Sequence, residues 1–328
     1  MGVGFIVKHL KLRSLKRMSA FAAEDAKLSG KPKLLIMLDM AWCALKYGAA
    51  VYDYHNLKFY QRKARDRAAF VTRGVNIKVV KRTCDLAYKP QLEDKVLFNR
   101  AFDKYLKRGW CELQAVTRDE FAAWCGGRDV VFAKRNFSSC GHDVVRYSLN
   151  NYADAGALYD ELTAERFDLV EEAVVQHPAV DAIYPGAVNT LRLVTMLKDG
   201  EAHILYAVFR CALDKYVDNL NSGGACAVVD VEAGVITSDA MTKDMQYITA
   251  HPATGYVFKG SQFPMWDEIT AMVREAAQIV PQVRYTAWDV ALSRDSGPLL
   301  IEGNYHPGYD LMQLADQVGK KALLLKYI

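Results

Sequence analysis

The hydrophobic spacing changes period part-way along the chain, and that change limits the folds open to it. Up to about residue 90, apolar residues recur at helical intervals. Leu34, Leu35, Leu38, Trp42 and Leu45 form one stripe, and Asp39, Lys46 and the run Arg62-Lys63-Ala64-Arg65-Asp66-Arg67 supply polar faces. Tyr52, Tyr54, Phe59 and Tyr60 read as core between helices. From about Trp110 the pattern turns to short β-rich runs split by Gly and Asp turns. The layout predicts an α+β fold: a helical N-terminal domain over residues 1–92, then a domain rich in antiparallel strands over 93–328.

Within the second part, Val130 to Ala133 reads as a strand, Asn136 to His142 as a small-residue loop, and Val144-Val145 as renewed extended chain. Leu191–Leu197 and His203–Phe209 flank Lys198-Asp199-Gly200-Glu201, a hairpin with an Asp-Gly turn. Cys226–Val229 and Val235–Thr237 suggest another hairpin around Glu232-Ala233-Gly234. A helix is expected over Pro264–Ile279, with Trp266, Ile269, Val273, Ala276 and Val280 on one stripe. Thr286–Leu292 and Pro298–Glu302 follow, joined by Arg294-Asp295-Ser296-Gly297.

Composition excludes several classes. Hydrophobic residues make up 51% and charged residues 24%, which supports a sizeable core and excludes disorder. The net charge of +4 does not point to nucleic acid as a partner, while small polyanions are easily accommodated. The seven cysteines are scattered and never spaced C-x-x-C, so a reducing, cytoplasmic compartment is expected. The apolar segment Leu34–Val51 is broken by Asp39 and Lys46, too polar for a membrane span. The basic stretch Lys8 to Arg17 serves either as a solvated helix face or as a weak contact with an anionic membrane surface.

The sharpest chemical signal is the last hairpin. With the turn centred between Asp295 and Ser296, residue 292 pairs with 299, 291 with 300 and 289 with 302. Asp289 and Glu302 then lie opposite each other, with Cβ atoms about 5 Å apart, and strand alternation returns Asn304 to the same face. Two facing carboxylates repel, and with a carboxamide beside them they make an oxygen cage suited to Mg²⁺. The alternative is a solvated hairpin with structural acids, against which the apolar neighbours on both strands argue.

Other features are open on local evidence. Lys134 at a strand end, followed by Ser138, Ser139, Cys140 and Gly141, is able to cradle phosphate, but taken alone the signal is weak, since small-residue loops beside a lysine are common hairpin turns. Cys140 has no base beside it and reads as a bystander. Simple pairing about Asp199-Gly200 sets Arg210 opposite Asn189, an odd number of residues from Arg192. The two arginines then face opposite sides unless a bulge shifts the register. Asp218-Asn219 with Gly223-Gly224 is a polar loop able to wrap a phosphoryl group, or a turn.

Taken together the chain resembles the ATP-grasp superfamily, and more closely its sugar-transfer-associated group. The matching segments are Asp94-Lys95, Val131–Lys134, Glu171–Pro178, Val188–Arg192, Val217-Asp218-Asn219 with Gly223-Gly224, His251–Gly255, Trp288-Asp289 and Ile301–Asn304, in the family's order. The resemblance implies an ATP-grasp fold, with a lid subdomain over about 110–175 and a core subdomain over about 176–328 that carries the metal site. It implies ATP and Mg²⁺ as cofactors, with Lys95 and Lys134 on the phosphates and Ser138, Ser139 and Gly141 in the loop that closes over them. Glu171, Glu172, Val174 and Gln176 then belong to the hinge that meets the nucleotide. Asp289, Glu302 and Asn304 match the magnesium ligands, and Arg192, Arg210 and Asn219 the residues that face the γ-phosphate. The family's ribose-binding acid has no counterpart directly after Val175, where Gln176 and His177 stand.

The implied activity is ATP-dependent joining of a small-molecule carboxylate to an amine through an acyl-phosphate, in cell-surface polysaccharide or specialised metabolite biosynthesis. An ATP-binding non-ligase partner of a glycan-assembly complex and an ATP-grasp kinase are the alternatives. His177 or His251 is the candidate base for the amine.

Overall fold

A computed structural model describes residues 12–136, 144–214 and 218–328. The chain divides into two compact units: residues 1–82 with 308–326 and 328, and residues 83–307 with 327.

The first unit is helical, with α1 (Leu12–Ser29), α2 (Lys33–Tyr47) and α3 (Val51–Asn56) at its start. Its interior holds Ile36, Met40, Cys43, Tyr54, Phe59 and Tyr60, while Tyr52 is exposed, so three of the four clustered aromatics are core. Asp39 is held by Arg67 through bonds of 2.7 and 2.8 Å and by the Tyr54 hydroxyl at 2.7 Å. The apolar stripe Leu34, Leu35, Leu38, Trp42, Leu45 points outward; the buried face of α2 is the opposite one, carried by Ile36, Met40 and Cys43. Among the described residues no helix is long and apolar enough to cross a membrane.

The second unit contains two antiparallel sheets. The smaller has strand order β1 (Trp110–Glu112), β4 (Leu169–Glu172), β2 (Val130–Lys134), β3 (Val144–Ser148). Strand alternation gives it two different faces. Val131, Ala133 and Val170 point to a core with Phe121, Leu158 and Leu162 from the helices α5 (Arg118–Trp124) and α6 (Ala155–Ala164). Val130, Phe132, Lys134, Val144, Arg146 and Glu171 point instead into a cleft.

The larger sheet has seven strands, in the order β11 (Gly297–Asn304), β10 (Tyr285–Ser293), β5 (Thr190–Lys198), β6 (Glu201–Cys211), β7 (Ala225–Val229), β8 (Ala240–Thr242), β9 (Tyr247–Ile248). The β5–β6 turn forms as expected, with Asp199 (φ 51°) and Gly200 (φ 81°) both left-handed, the backbone of a two-residue hairpin loop. The Val235–Thr237 run makes isolated bridges, Ile236 to Val229 and Val235 to Gln262, and β7 takes β8 as its strand partner. The expected amphipathic helix is α7 (Trp266–Ala276), buried along its predicted stripe. The helix α4 (Lys95–Leu106) covers β11 and reaches β10, where Phe102 meets Trp288 edge-on, with ring centroids 5.4 Å apart. A Cβ on Gly303 would stand 2.9 Å from the Phe98 ring, so only glycine lets this helix lie against the strand.

Candidate active site

The last hairpin brings Asp289 and Glu302 opposite each other, but by a different route from simple pairing. Ser293 pairs with Gly297, so the ladder nearest the turn runs Leu292 with Pro298 and Ala291 with Leu299. The expected partners 299 and 300 are therefore corrected by one residue. A bulge between Asp289 and Val290 then restores the Asp289–Glu302 pair. Asn304 falls on the same face and donates to Glu302 Oε1 at 3.2 Å.

A second bulge decides the arginines. The β5–β6 register shifts between Val194 and Thr195, which sets Arg210 opposite Thr190 rather than Asn189. Arg192 and Arg210 now share a face and converge on Asp289, itself directly opposite Arg192 in the β5–β10 ladder. Arg192 donates from Nε to Oδ1 and from Nη2 to Oδ2, both at 2.7 Å, and Arg210 Nη2 donates to Oδ2 at 2.9 Å. Burial alone would raise the Asp289 carboxyl, yet the two guanidinium groups hold it well below the usual carboxylate range. Glu302, half-exposed and 3.7 Å from Arg192, is raised by desolvation and by the neighbouring Asp289 charge.

Asp218 joins this floor. It accepts from the Thr190 backbone at 3.0 Å and from the Thr190 hydroxyl, and lies 3.5 Å from Arg210. Burial, with a smaller push from Asp289, raises its pKa despite the arginine. Arg210 also donates to the Thr190 hydroxyl at 2.7 Å.

The facing wall is built around Glu171 on β4. It accepts from Lys134 Nζ at 2.6 Å, from Arg108 Nη2 at 2.9 Å and from Asn99 Nδ2 at 3.0 Å. Burial pushes its pKa up, but Arg108 and Lys134 outweigh that and hold it at about 2. Arg108 also donates to the Leu300 carbonyl at 2.6 Å, tying this wall to β11. Lys95 Nζ donates at 3.0 Å to the Arg135 and Asn136 carbonyls, joining the start of α4 to the end of β2.

Between floor and wall runs a cleft of about 490 Å³, within the range of small-molecule sites. Lys95, Lys134, Glu171, Glu172, Val174, Gln176, Arg210, Asn219, Asp289 and Glu302 all line it. Ser138, Ser139 and Gly141 lie outside the described residues, as does Cys140. Arg192 and Asn304 stand behind Asp289 and Glu302 instead of lining the cleft. Gln176 is buried and spent on structure, accepting from the Asn189 backbone at 2.7 Å and donating to the Tyr184 carbonyl at 3.1 Å. Its neighbour Asp181, unremarkable in sequence, lines the cleft.

Neither candidate histidine lines the cleft. His177 Nδ1 caps the backbone of Ala179, and His251 is buried, bonded to the Ala212 carbonyl at 2.9 Å and stacked on Tyr184. Arg108, Asn99 and Asp181 carry no signal in the sequence, while Thr190 and Asp218 stand there only as members of the Val188–Arg192 segment and the polar Gly-rich loop, with no role of their own.

A sequence-family model described as sugar-transfer associated ATP-grasp matches residues 125–327, more than half of the chain. The chain belongs to the sugar-transfer associated ATP-grasp family. Comparison with curated proteins finds no match. Solved structures similar to this ATP-grasp chain include an L-amino acid ligase from Bacillus licheniformis, at 12% identity and TM-score 0.40, covering 70% of this chain and 48% of that one. D-alanyl-alanine synthetase A from Vibrio cholerae stands at 10% identity and TM-score 0.42, covering 72% and 65%. The ATP-grasp ligase PsnB, complexed with a precursor variant, Mg and ADP, stands at 11% and 0.42, covering 75% and 60%. The chain thus spans about half to two thirds of the length of these structures.

Proposed function

We propose that this ATP-grasp protein is an ATP-dependent carboxylate–amine ligase, with its ATP-grasp portion over residues 93–328, a lid at about 110–175 and a core at about 176–328. The observation that carries the reading is the meeting of Arg210, backed by Arg192 through Asp289, with Asp289 and Glu302 on one cleft floor, opposite a wall that presents Lys134. Phosphoryl transfer asks little covalent chemistry of a protein; it asks for in-line positioning and neutralisation of phosphate charge.

In this reading ATP lies along the cleft, its adenine against the hinge backbone from Glu171 to Val174 and its phosphates toward Lys134 and Lys95. Asp181, at the hinge end of the cleft, takes the ribose contact that Gln176 is too engaged to make. A substrate carboxylate attacks the γ-phosphorus, the bond to the bridging oxygen breaks and ADP departs. The amine then attacks the acyl carbon of the mixed anhydride and phosphate leaves. Arg210, supported by Arg192, and Asn219 face the transferring group, where preorganised donors act most strongly. Thr190 and Asp218 hold the Arg210 guanidinium in place.

Among the described residues no group of three or more His, Cys, Asp or Glu is arrayed for a metal. The donor set here is two carboxylates and an amide oxygen, all hard ligands, and a cation would offset the Asp289 charge that adds to burial in raising Glu302. Asp289, Glu302 and Asn304 would hold Mg²⁺, which when bound would neutralise phosphate oxygens. Lys134, Arg192 and Arg210 supply charge of their own.

The test is ADP release from the purified protein with ATP, Mg²⁺ and paired panels of amino acids and sugar acids. A ligase releases ADP only when a carboxylate and an amine are both present, and Glu302→Ala abolishes that release. Release with a hydroxyl acceptor alone makes the protein a kinase, and ATP binding without turnover makes it a non-catalytic partner. Near-normal turnover by Glu302→Ala removes the metal assignment.

A further inference from the structure

The outward face of α2 is unusual for a surface helix. Leu34, Leu35, Leu38, Trp42 and Leu45 are 67, 55, 59, 55 and 56% exposed, and their spacing places them in one arc along three turns. Single exposed leucines are ordinary, but a continuous apolar stripe marks a surface that something covers. Leu28, near the end of α1, is 60% exposed as well. The helix therefore has two apolar faces, one spent on the unit's interior through Ile36, Met40 and Cys43.

Charge points to the occupant. The near-neutral total conceals a sharp division: residues 1–82 hold 18 Lys and Arg against 5 Asp and Glu, whereas the rest of the chain holds 24 against 33. Exposed Lys31 and Lys33 border the start of the stripe and Lys46 its end, where Lys46 Nζ lies 5.6 Å from the Trp42 ring centroid. The one acid on α2, Asp39, is neutralised by Arg67. Leucines with a tryptophan, edged by lysines, match a helix lying in the interface of an anionic bilayer.

We propose that the outward face of α2 docks the protein onto anionic membrane surfaces. The helix lies in the interface with its leucines among the acyl-chain ends and its lysines at the headgroups. The same basic surroundings attract the negative leaflet before the apolar contact forms, so binding weakens as salt rises. This inference is independent of the reading of the cleft.

Flotation of the full chain with phosphatidylcholine vesicles, with and without phosphatidylglycerol, tests it. Binding is expected only with phosphatidylglycerol and is lost at high salt. The triple variant Leu35→Ser, Leu38→Ser, Trp42→Ser is expected to bind about tenfold more weakly, with an unchanged thermal melt, because all three side chains are exposed. Trp42→Phe keeps the binding and removes the blue shift of tryptophan emission that vesicles induce in the parent chain. Absence of phosphatidylglycerol-dependent binding at low salt overturns the proposal, as does undiminished binding by the folded triple variant. A concentration-dependent dimer that the triple variant dissolves, with no vesicle binding by the parent, also overturns it and gives the face to a second copy.

Discussion

Asp289 and Glu171 stand on opposite sides of the cleft, and each is a buried carboxylate clamped by two cations, yet the clamps are built differently. The Asp289 clamp comes from neighbouring strands of one sheet: Arg192 lies directly across the β5–β10 ladder and Arg210 one strand further on. Its geometry follows from register, and one slipped residue would turn Arg210 to the other face. The Glu171 clamp gathers Lys134 from β2, Arg108 from the turn after α4 and Asn99 from within that helix. Its geometry follows from how a helix and a small sheet pack, not from any ladder. The floor is therefore set by strand register, while the wall is a junction of separate elements.

Asp289→Asn should have the largest effect, because it leaves the buried Arg210 and the largely buried Arg192 facing a neutral amide. A stability loss of about 3–5 kcal/mol in urea unfolding is expected, with ADP formation down by about 10²–10³. A mild loss of stability would mean that the arginines reach solvent and that the floor is less closed than its distances imply.

Glu171→Gln comes next. The folded pKa of Glu171 is depressed from 4.5 to about 2, so its stabilising contribution is present above about pH 4.5 and is lost as pH falls toward 2. The shift corresponds to about 3 kcal/mol. The variant should be weaker near neutrality and show a flatter decline in acid, read by unfolding between pH 5 and 3, a window that spans most of the transition. An equal acid slope in both proteins would dissolve the parallel between the clamps.

Asp53 in the helical unit sharpens the comparison by reversing its sign. It is as buried as the other two, but its donors are the Tyr309 hydroxyl at 2.7 Å and the backbone of Ala50 and Arg73 at 2.7 and 2.9 Å. Without a guanidinium or ammonium group donating to it, burial wins and raises its pKa from 3.8 to about 6. The proton-bound form is then the one that folding favours, so the contribution of Asp53 to stability is most favourable below about pH 4 and declines as pH rises toward 6. Asp53→Asn should remove that decline from melts taken between about pH 4 and 6. The smallest effect on folding is expected from Lys134→Met, since Arg108 still neutralises Glu171. Nucleotide affinity, read by isothermal titration with ATP, should fall about tenfold, with a stability loss smaller than that of Glu171→Gln.

Legibility followed the range of the interaction. Alternation along a strand and an Asp-Gly turn are local, so β2, the β5–β6 hairpin and the shared face of Glu302 and Asn304 could be read directly. The Asp289–Glu302 pair was reached through a turn placed one residue off and a bulge that cancelled the error. The arginines show the limit more plainly: local pairing separates them, and only the bulge at Val194/Thr195 unites them. The Glu171 clamp left no trace because Asn99, Arg108, Lys134 and Glu171 belong to four segments with no common spacing.

The stripe on α2 makes the same point from the other side. Its helical period was plain, but period states only that five apolar residues share a face, and packing of Ile36, Met40 and Cys43 decided that this face would look outward. By itself, then, the sequence determined the two kinds of secondary structure, the order of the family's segments and the acids that could meet across the last hairpin. Tertiary structure alone decided which charges neutralise one another, because a bulge or a helix contact moves a side chain to a new partner without changing the local pattern that a sequence records.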